Sequence, residues 1–141
     1  MLLKEFRALA DDDRPIALEL KDLEDVRTLH DAFSERLKAR GVSDSDRRRF
    51  LVSVEEIVVN ALVHARATVS VTANTTDRAV SATVRFGGEP YDVAAAARTA
   101  KAGHGDRPGG YGLYIAHRYV DRIHHGHADG ENIVTLEREF E

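Results

Sequence analysis

The segment VEEIVVNALVHA, residues 54–65, decides the fold of this chain. Apolar residues recur through it at intervals of three and four, the spacing that brings side chains to one face of an α-helix. Ser43 and Asp46 resemble a capping box, the pattern that begins a helix, although Asp replaces the usual Glu or Gln. The sequence therefore predicts a long helix over residues 43–65. Its apolar stripe comprises Leu51, Val54, Val58, Ala61, Leu62 and Ala65.

Two polar side chains share one face of this apolar helix. Glu56 and Asn60 are four residues apart, so they lie one turn from each other. Ile57, Val59 and Val63 make much of the remaining surface apolar, which predicts that the pair borders a cleft. The Asn60 amide oxygen can ligate Mg²⁺, and the Glu56 carboxylate can orient or deprotonate an attacking hydroxyl. The alternative, for the pair taken alone, is a wetted helix face with an incidental glutamate and asparagine.

Hydrophobic periodicity assigns the rest of the chain to helices and strands around this one. Alternation predicts strands, and intervals of three and four predict helices. The predicted elements are a strand over 16–20, a helix over 22–40 ended by Gly41, strands over 68–73 and 79–86, a short helix over 94–100, a loop over 102–110, a helix over 111–123 and a last strand over 132–140. No linker or repeat divides the chain, so we predict a single domain over residues 1–141.

Composition limits the class of protein. A chain of 141 residues is enough for one domain, and 43% apolar with 31% charged residues fits a soluble globule with a core. The net charge of −4 argues against direct nucleic-acid binding, which normally needs a basic surface. There is no cysteine, and no apolar run approaches the roughly 18 residues that a membrane span needs. We therefore expect a cytoplasmic protein with no signal peptide and no membrane partner.

Two glycine-containing segments flank the alanine-rich region. PGGYGL, residues 108–113, opens the predicted helix over 111–123. Glycines there allow the backbone to approach a ligand closely, and free amides at a helix start favour a phosphate. An ordinary flexible loop is the alternative reading. RFGGEPYD, residues 85–92, ends a strand and turns the chain, and by itself it indicates nothing more.

Histidines crowd one predicted turn. His124, His125 and His127 lie close together in sequence, with His104 and His117 nearby. Three imidazoles are a possible ligand set for zinc. A turn offers no fixed ligand geometry, however, so a solvent-exposed loop is the preferred interpretation.

Taken together, in this order and spacing, these segments resemble the histidine-kinase-like ATPases of the GHKL superfamily. Residues 54–65 resemble its asparagine box, residues 84–92 its first glycine box and residues 109–113 its second. The closing strand over 132–137 matches as well. The Glu-x-x-x-Asn-x-x-x-His form is typical of a compact bacterial branch that contains the anti-sigma-factor serine kinases.

The resemblance implies an α/β two-layer sandwich, with helices on one face of a mixed, mostly antiparallel sheet. ATP would lie between the second helix and a lid over residues 94–108. Glu56 would be the general base and Asn60 the Mg²⁺ ligand. The nucleotide-binding positions implied are Asn60, His64, Phe86, Gly88, Gly109, Gly110 and Gly112.

One position departs from the family pattern. The first glycine box normally begins with an aspartate that accepts a hydrogen bond from the adenine amino group, and here that position is Phe86. Loss of one partner in such a site costs about 1–3 kcal/mol, or roughly tenfold to a hundredfold in affinity. Phe86 would instead stack on the base or fill its pocket.

Two functions are consistent with these residues. The resemblance implies an anti-sigma factor that uses ATP and Mg²⁺ to phosphorylate a serine on a STAS-type anti-anti-sigma protein, with an RNA polymerase sigma factor as its other partner and a homodimer as its assembly. The alternative is a binding module with the same fold and partners, in which ATP binding is lost or weakened because of Phe86.

Overall fold

Five strands and four helices make up the described part of the chain. The computed structural model describes residues 15–65, 68–99 and 110–141. In chain order the elements are β1 (Ile16–Leu20), α1 (Asp25–Ala39), α2 (Asp44–Ala65), β2 (Val69–Thr75), β3 (Ala79–Gly87), α3 (Val93–Thr99), α4 (Gly110–Arg118), β4 (Arg122–Ala128) and β5 (Glu131–Glu139). In these ranges no helix combines the length and the apolar character needed to span a bilayer.

The strands form one sheet in the order β1-β2-β3-β5-β4. Every neighbouring pair in it is antiparallel. The predicted α/β fold is confirmed, and the sheet, expected to be mixed and mostly antiparallel, is antiparallel at every pair of described strands.

One face of the sheet is buried beneath the helices. Side chains alternate along β2, β3 and β5, because successive residues of a strand point to opposite faces. The buried members are Val69, Val71 and Ala73 of β2, Val80, Ala82, Val84 and Phe86 of β3, and Val134 and Leu136 of β5. They share a core with the buried side chains Leu29, Phe33, Leu37, Phe50, Leu51, Val54, Ile57 and Val58 of α1 and α2. The molecule is thus a two-layer sandwich.

The turn between α1 and α2 has the hydrogen bonds of a Schellman motif. Gly41 has a φ of +81°, in the left-handed region that glycine adopts readily. Its N–H donates to the Lys38 carbonyl at 3.0 Å, and the Val42 N–H donates to the Leu37 carbonyl at 3.0 Å. Val42 and Leu37 are both buried. The glycine therefore ends α1 where the sequence predicts and directs the chain into α2.

The start of α2 is fixed by a capping box and an ion pair. The Asp46 N–H donates to Ser43 Oγ at 3.1 Å, which is the N-cap half of a capping box, and the Ser43 hydroxyl donates to Asp46 Oδ2 at 3.1 Å, a side-chain contact in place of the usual bond to the backbone N–H of the N-cap residue. Arg138 of β5 donates to Asp46 Oδ1 at 2.9 Å, and both side chains are buried. This contact anchors α2 to the sheet, and the later turns of α2 carry Glu56 and Asn60.

The C-terminal hairpin differs from the sequence prediction. The helix predicted to reach Ile123 ends at Arg118, and the histidine-rich segment forms strand β4 instead of a turn. Asp129 and Gly130 have φ of 54° and 79°, which suits a two-residue hairpin turn between β4 and β5. The Asp-Gly pair is a hairpin signal that the sequence reasoning missed.

Candidate functional site

Glu56 and Asn60 occupy the same half-buried face of α2. Both side chains are partly exposed, whereas Ile57, Val58 and Ala61 between and beyond them are buried. Within the described residues, neither the Glu56 carboxylate nor the Asn60 amide has a hydrogen-bond or ion-pair partner. No described residue therefore occupies the two groups that a ligand would contact, and Asn60 offers the hard oxygen donor that Mg²⁺ prefers.

Burial changes the proton affinity of Glu56. Desolvation raises the pKa of its carboxyl above the ordinary value of 4.5, because a less polar environment disfavours the charged form. A carboxylate with a raised pKa is a stronger base, so this environment suits the role of accepting a proton from a hydroxyl.

The adjacent carboxylate, Glu55, has a different environment. Its Oε1 lies 2.9 Å from His30 Nδ1 on α1. Burial raises the pKa of Glu55, the His30 contact partly offsets that rise, and the charges of Glu56 and Asp31 add to it. Glu55 therefore bridges α1 and α2, while Glu56 is available to a ligand. The sequence reasoning did not separate the two by this contact.

Apolar cover along α2 is less complete than the sequence predicts. Val63 is 54% exposed, although the predicted helix counts it among the covering residues. His64 and Ala65 belong to the last turn of α2, but their side chains lie outside the description. The cleft expectation thus rests on Glu56 and Asn60.

The segment after β3 contains the glycine predicted to bind nucleotide. Gly88 has a φ of +115°, a conformation that side-chain-bearing residues rarely adopt, and no atom of the described part of the chain lies within 4 Å of the position of a Cβ. Its N–H donates to the Gly130 carbonyl at 3.2 Å. His127 Nε2 lies 3.0 Å from the Gly88 carbonyl, which accepts its hydrogen. The backbone at this position therefore requires glycine.

Phe86 lies at the end of the buried face of β3. Its side chain is 3% exposed and belongs to the core that α2 covers. Where the resemblance leads one to expect a carboxylate for adenine, the structure has an aromatic ring packed among aliphatic side chains. That ring has no group that accepts a hydrogen bond from an amine.

Asn132 is a buried polar residue that the sequence reasoning did not single out. It is paired with Phe86 across β3 and β5 and has 0% exposure. Its Oδ1 accepts the Tyr91 N–H at 2.7 Å, and its Nδ2 donates to the Glu89 carbonyl at 3.0 Å. The only sequence signal was a polar residue at an inward position of an alternating strand.

The remaining predicted site residues are described only in part. Gly110 begins α4 and Gly112 lies within it, while Gly109 lies outside the described residues. Of the predicted lid over 94–108, the part up to Thr99 belongs to α3, and the rest lies outside the description. The structure thus brings Glu56 and Asn60 together on α2 and places Phe86 and Gly88 at one end of β3.

Other possible sites are separate from these residues. In the described ranges no group of three or more His, Cys, Asp or Glu side chains could hold a metal ion. A polar pocket of about 610 Å³ is lined by residues that include Arg40, Ser43, Thr75 and Phe140. None of its lining residues is a predicted site residue, so this pocket does not bear on the candidate site.

Comparisons with known proteins bear on the family and the fold. The family model described as a histidine kinase-like ATPase domain matches residues 20–138. Among solved structures, the chain is similar to the crystal structure of the RsbU and RsbW domains of Rv1364c from Mycobacterium tuberculosis, with a TM-score of 0.66 and 21% identity over 90% of this chain. This chain spans 32% of the length of that one, and the likeness shows the fold. A comparison with curated proteins finds no match.

Proposed function

Since the chain belongs to the histidine kinase-like ATPase domain family, we propose that it is an anti-sigma factor that binds ATP and phosphorylates a serine on a STAS-type anti-anti-sigma protein. The observation that carries the proposal is the Glu56–Asn60 pair, two half-buried oxygen-bearing groups one turn apart with no partner in the described part of the chain. The RsbW domain named in the similar structure supports the same class of protein.

Glu56 is the proposed general base. It accepts the proton of the serine hydroxyl as that oxygen bonds to the terminal phosphorus of ATP, and the bond from phosphorus to the bridging oxygen breaks to leave ADP. Burial, which raises the pKa of Glu56, strengthens it as a proton acceptor. When bound, Mg²⁺ supplies charge neutralisation for the phosphate oxygens, and Asn60 is the residue that would hold it.

Phosphorylation would reverse partner binding through charge. A phosphoserine carries about −1.5 to −2 charges at neutral pH. This chain is itself acidic, with a net charge of −4. The phosphorylated STAS partner would dissociate, and the chain would be free to hold an RNA polymerase sigma factor. The proposed assembly is a homodimer, which sedimentation velocity would measure directly.

A specific observation favours one alternative function. Phe86, at 3% exposure, offers no acceptor to adenine, and its neighbour Asn132 is engaged with the loop that follows β3. A binding module with weakened or lost ATP binding would follow from this arrangement. In that case the partners would exchange by competition and no phosphate would be transferred.

One assay separates the two functions. Purified protein, Mg²⁺-ATP and a candidate STAS protein are mixed, and mass spectrometry looks for phosphoserine. The matched pair of variants is Glu56→Gln and Glu55→Gln, because the two carboxylates are adjacent but only Glu55 is paired with His30. The kinase proposal expects phosphoserine with wild type and Glu55→Gln and none with Glu56→Gln.

The opposite result is equally informative. Normal binding of the STAS protein, with no phosphoserine and no calorimetric signal at millimolar ATP, would establish the binding module and rule out the kinase. Phosphoserine that persists in Glu56→Gln would remove Glu56 from the role of base.

A further inference from the structure

We propose that Asn132, held in orientation by His125, is the positioning residue that fixes the backbone of the 88–91 loop for nucleotide binding. The loop comprises Gly88, Glu89, Pro90 and Tyr91, directly after β3. The inference rests on the proposed function, because that function makes this loop part of the nucleotide site. Asn132 itself acts through the loop and need not touch the nucleotide.

The side-chain amide of Asn132 forms hydrogen bonds with two backbone atoms of the loop. Oδ1 accepts the Tyr91 N–H at 2.7 Å, and Nδ2 donates to the Glu89 carbonyl at 3.0 Å. One planar group therefore satisfies a donor and an acceptor two residues apart. Because the contact has two points, it fixes both the distance of the loop from β5 and the orientation of the loop backbone.

His125 of β4 fixes which way the amide points. Its Nε2 lies 2.8 Å from Asn132 Oδ1, and because that oxygen only accepts, the imidazole nitrogen is the donor. A flipped amide would direct its NH₂ group at the Tyr91 N–H, a second donor. The side chain of His125 is only 8% exposed, so water competes little for this contact. The network thus has one satisfied arrangement.

Two further contacts hold the ends of the loop. His127 Nε2 donates to the Gly88 carbonyl at 3.0 Å. At the other end, Asp92 Oδ1 accepts the Ala95 N–H at 2.8 Å as the N-cap of α3, and it lies 3.8 Å from His125 Nδ1. The two histidines of β4 and Asn132 of β5 therefore connect the hairpin to both ends of the loop.

Packing alone does not explain an asparagine at this position. Asn132 has 0% exposure on a face where Val134 and Leu136 are the next inward residues. A buried amide costs free energy unless its polar atoms are paired, and an aliphatic side chain would avoid that cost. Among the described residues, the Asn132 amide is paired with the 88–91 loop and with His125. A loop ordered in advance pays less conformational entropy when a ligand binds.

The experiment compares variants in two measurements on the full chain. Hydrogen exchange of the Tyr91 amide, followed by NMR without nucleotide, reports loop order, and titration with Mg²⁺-ATP gives a dissociation constant. Asn132→Leu removes both loop contacts. Leu136→Val is the matched control, because it weakens the packing of the same strand on the same face, and the residues opposite Leu136 are Ala82 and Ile123, which lie outside the network. His125→Phe and His125→Gln test the orienting contact.

We expect Asn132→Leu to raise the exchange rate of the Tyr91 amide about tenfold and to raise the dissociation constant for Mg²⁺-ATP about tenfold. A tenfold change corresponds to the free energy of one lost hydrogen-bond partner. Leu136→Val should leave both values near those of wild type. His125→Phe should act like a milder Asn132→Leu, and His125→Gln should restore both values because its amide can donate to Oδ1. If Asn132→Leu does not fold, the His125 pair still decides.

Three results would overturn the proposal. Faster Tyr91 exchange with an unchanged dissociation constant would separate the loop from binding while leaving the proposed function intact. Equal losses in Leu136→Val and Asn132→Leu would mean that Asn132 contributes only to general stability. A wild-type protein with no affinity for Mg²⁺-ATP, even with a protected Tyr91 amide, would instead refute nucleotide binding itself, and the nucleotide role of Asn132 with it.

Discussion

Phe86 of β3 is paired with Asn132 of β5, and both side chains lie on the buried face of the sheet. Directly opposed residues in an antiparallel pair have Cβ atoms about 4.5–5.5 Å apart, so each forms part of the other's surroundings. The ring contributes apolar surface, and the amide is committed to the Glu89–Tyr91 backbone. The end of the site that would meet a nucleotide base is therefore shaped by packing and loop anchoring.

Phe86→Asp should change base selectivity more than overall affinity. A carboxylate at this position accepts a hydrogen bond from the adenine amine, which hypoxanthine lacks. We expect the ratio of ITP to ATP dissociation constants to rise about tenfold. The ratio is the proper measurement, because loss of a buried aromatic ring also costs about 3–5 kcal/mol of stability. Phe86→Leu is the control, and an equal rise in its ratio would contradict the assignment of this position.

Glu56→Gln should stabilise the protein at neutral pH and not in acid. Burial raises the pKa of Glu56 above 4.5, so the folded state binds this proton more tightly than the unfolded state. The stability associated with that proton is present below pH 4.5 and is lost as pH rises through the folded pKa. Glutamine carries no such penalty. Urea unfolding across pH should show a gain that appears on raising pH.

The control for this prediction is Glu35→Gln, an exposed carboxylate on α1. It should show no comparable pH-dependent gain. A Glu56→Gln protein that is less stable than wild type at neutral pH would contradict the environment assigned to this carboxyl.

Ser53→Ala should raise the free energy of unfolding by about 1 kcal/mol. Ser53 has 0% exposure on α2, and within the described residues its hydroxyl has no hydrogen-bond partner. An unsatisfied buried hydroxyl carries a desolvation penalty of about 1–3 kcal/mol, and alanine removes it with little loss of volume. Chemical denaturation measures the change. A destabilised Ser53→Ala protein would mean that the hydroxyl has a partner in solution.

Periodicity predicted the long elements because they carry strong signals. The helix ending near Ala65 and the strand over 79–86 have uninterrupted apolar patterns, and the structure has them as α2 and β3. Strand β4 was missed, since histidine and glycine interrupt its alternation. The short Asp129–Gly130 turn joins β4 to β5 in a hairpin, so Arg122 and Ile123 belong to a strand and not to the end of the predicted helix over 111–123.

The site was predictable where a single helix determines it. Glu56 and Asn60 lie on one face through helical spacing alone. Asn132 and His125 come to the 88–91 loop through the pairing of β4 with β5 and of β5 with β3. Such contacts depend on strand register, which the sequence does not reveal until the strands are paired.

Asp46→Ala should destabilise the protein by about 3–5 kcal/mol. Asp46 accepts a hydrogen bond from Arg138 at 2.9 Å, and both side chains are buried, so the change leaves the buried cation with only the exposed Glu141 carboxylate, 3.1 Å away, and also weakens the helix start. Arg138 also donates to the Tyr119 carbonyl at 2.9 Å, and these remaining bonds hold it in place without its main counter-charge.

Glu139→Ala is the matched control, because its partner Arg122 is 61% exposed and such surface pairs contribute about 0–1 kcal/mol. Thermal and urea unfolding should separate the two variants clearly. The double variant Asp46→Ala with Arg138→Met should recover part of the loss, since it removes the buried positive charge that Asp46 no longer balances. A double variant no more stable than Asp46→Ala alone would show that the cap, rather than the ion pair, accounts for the loss.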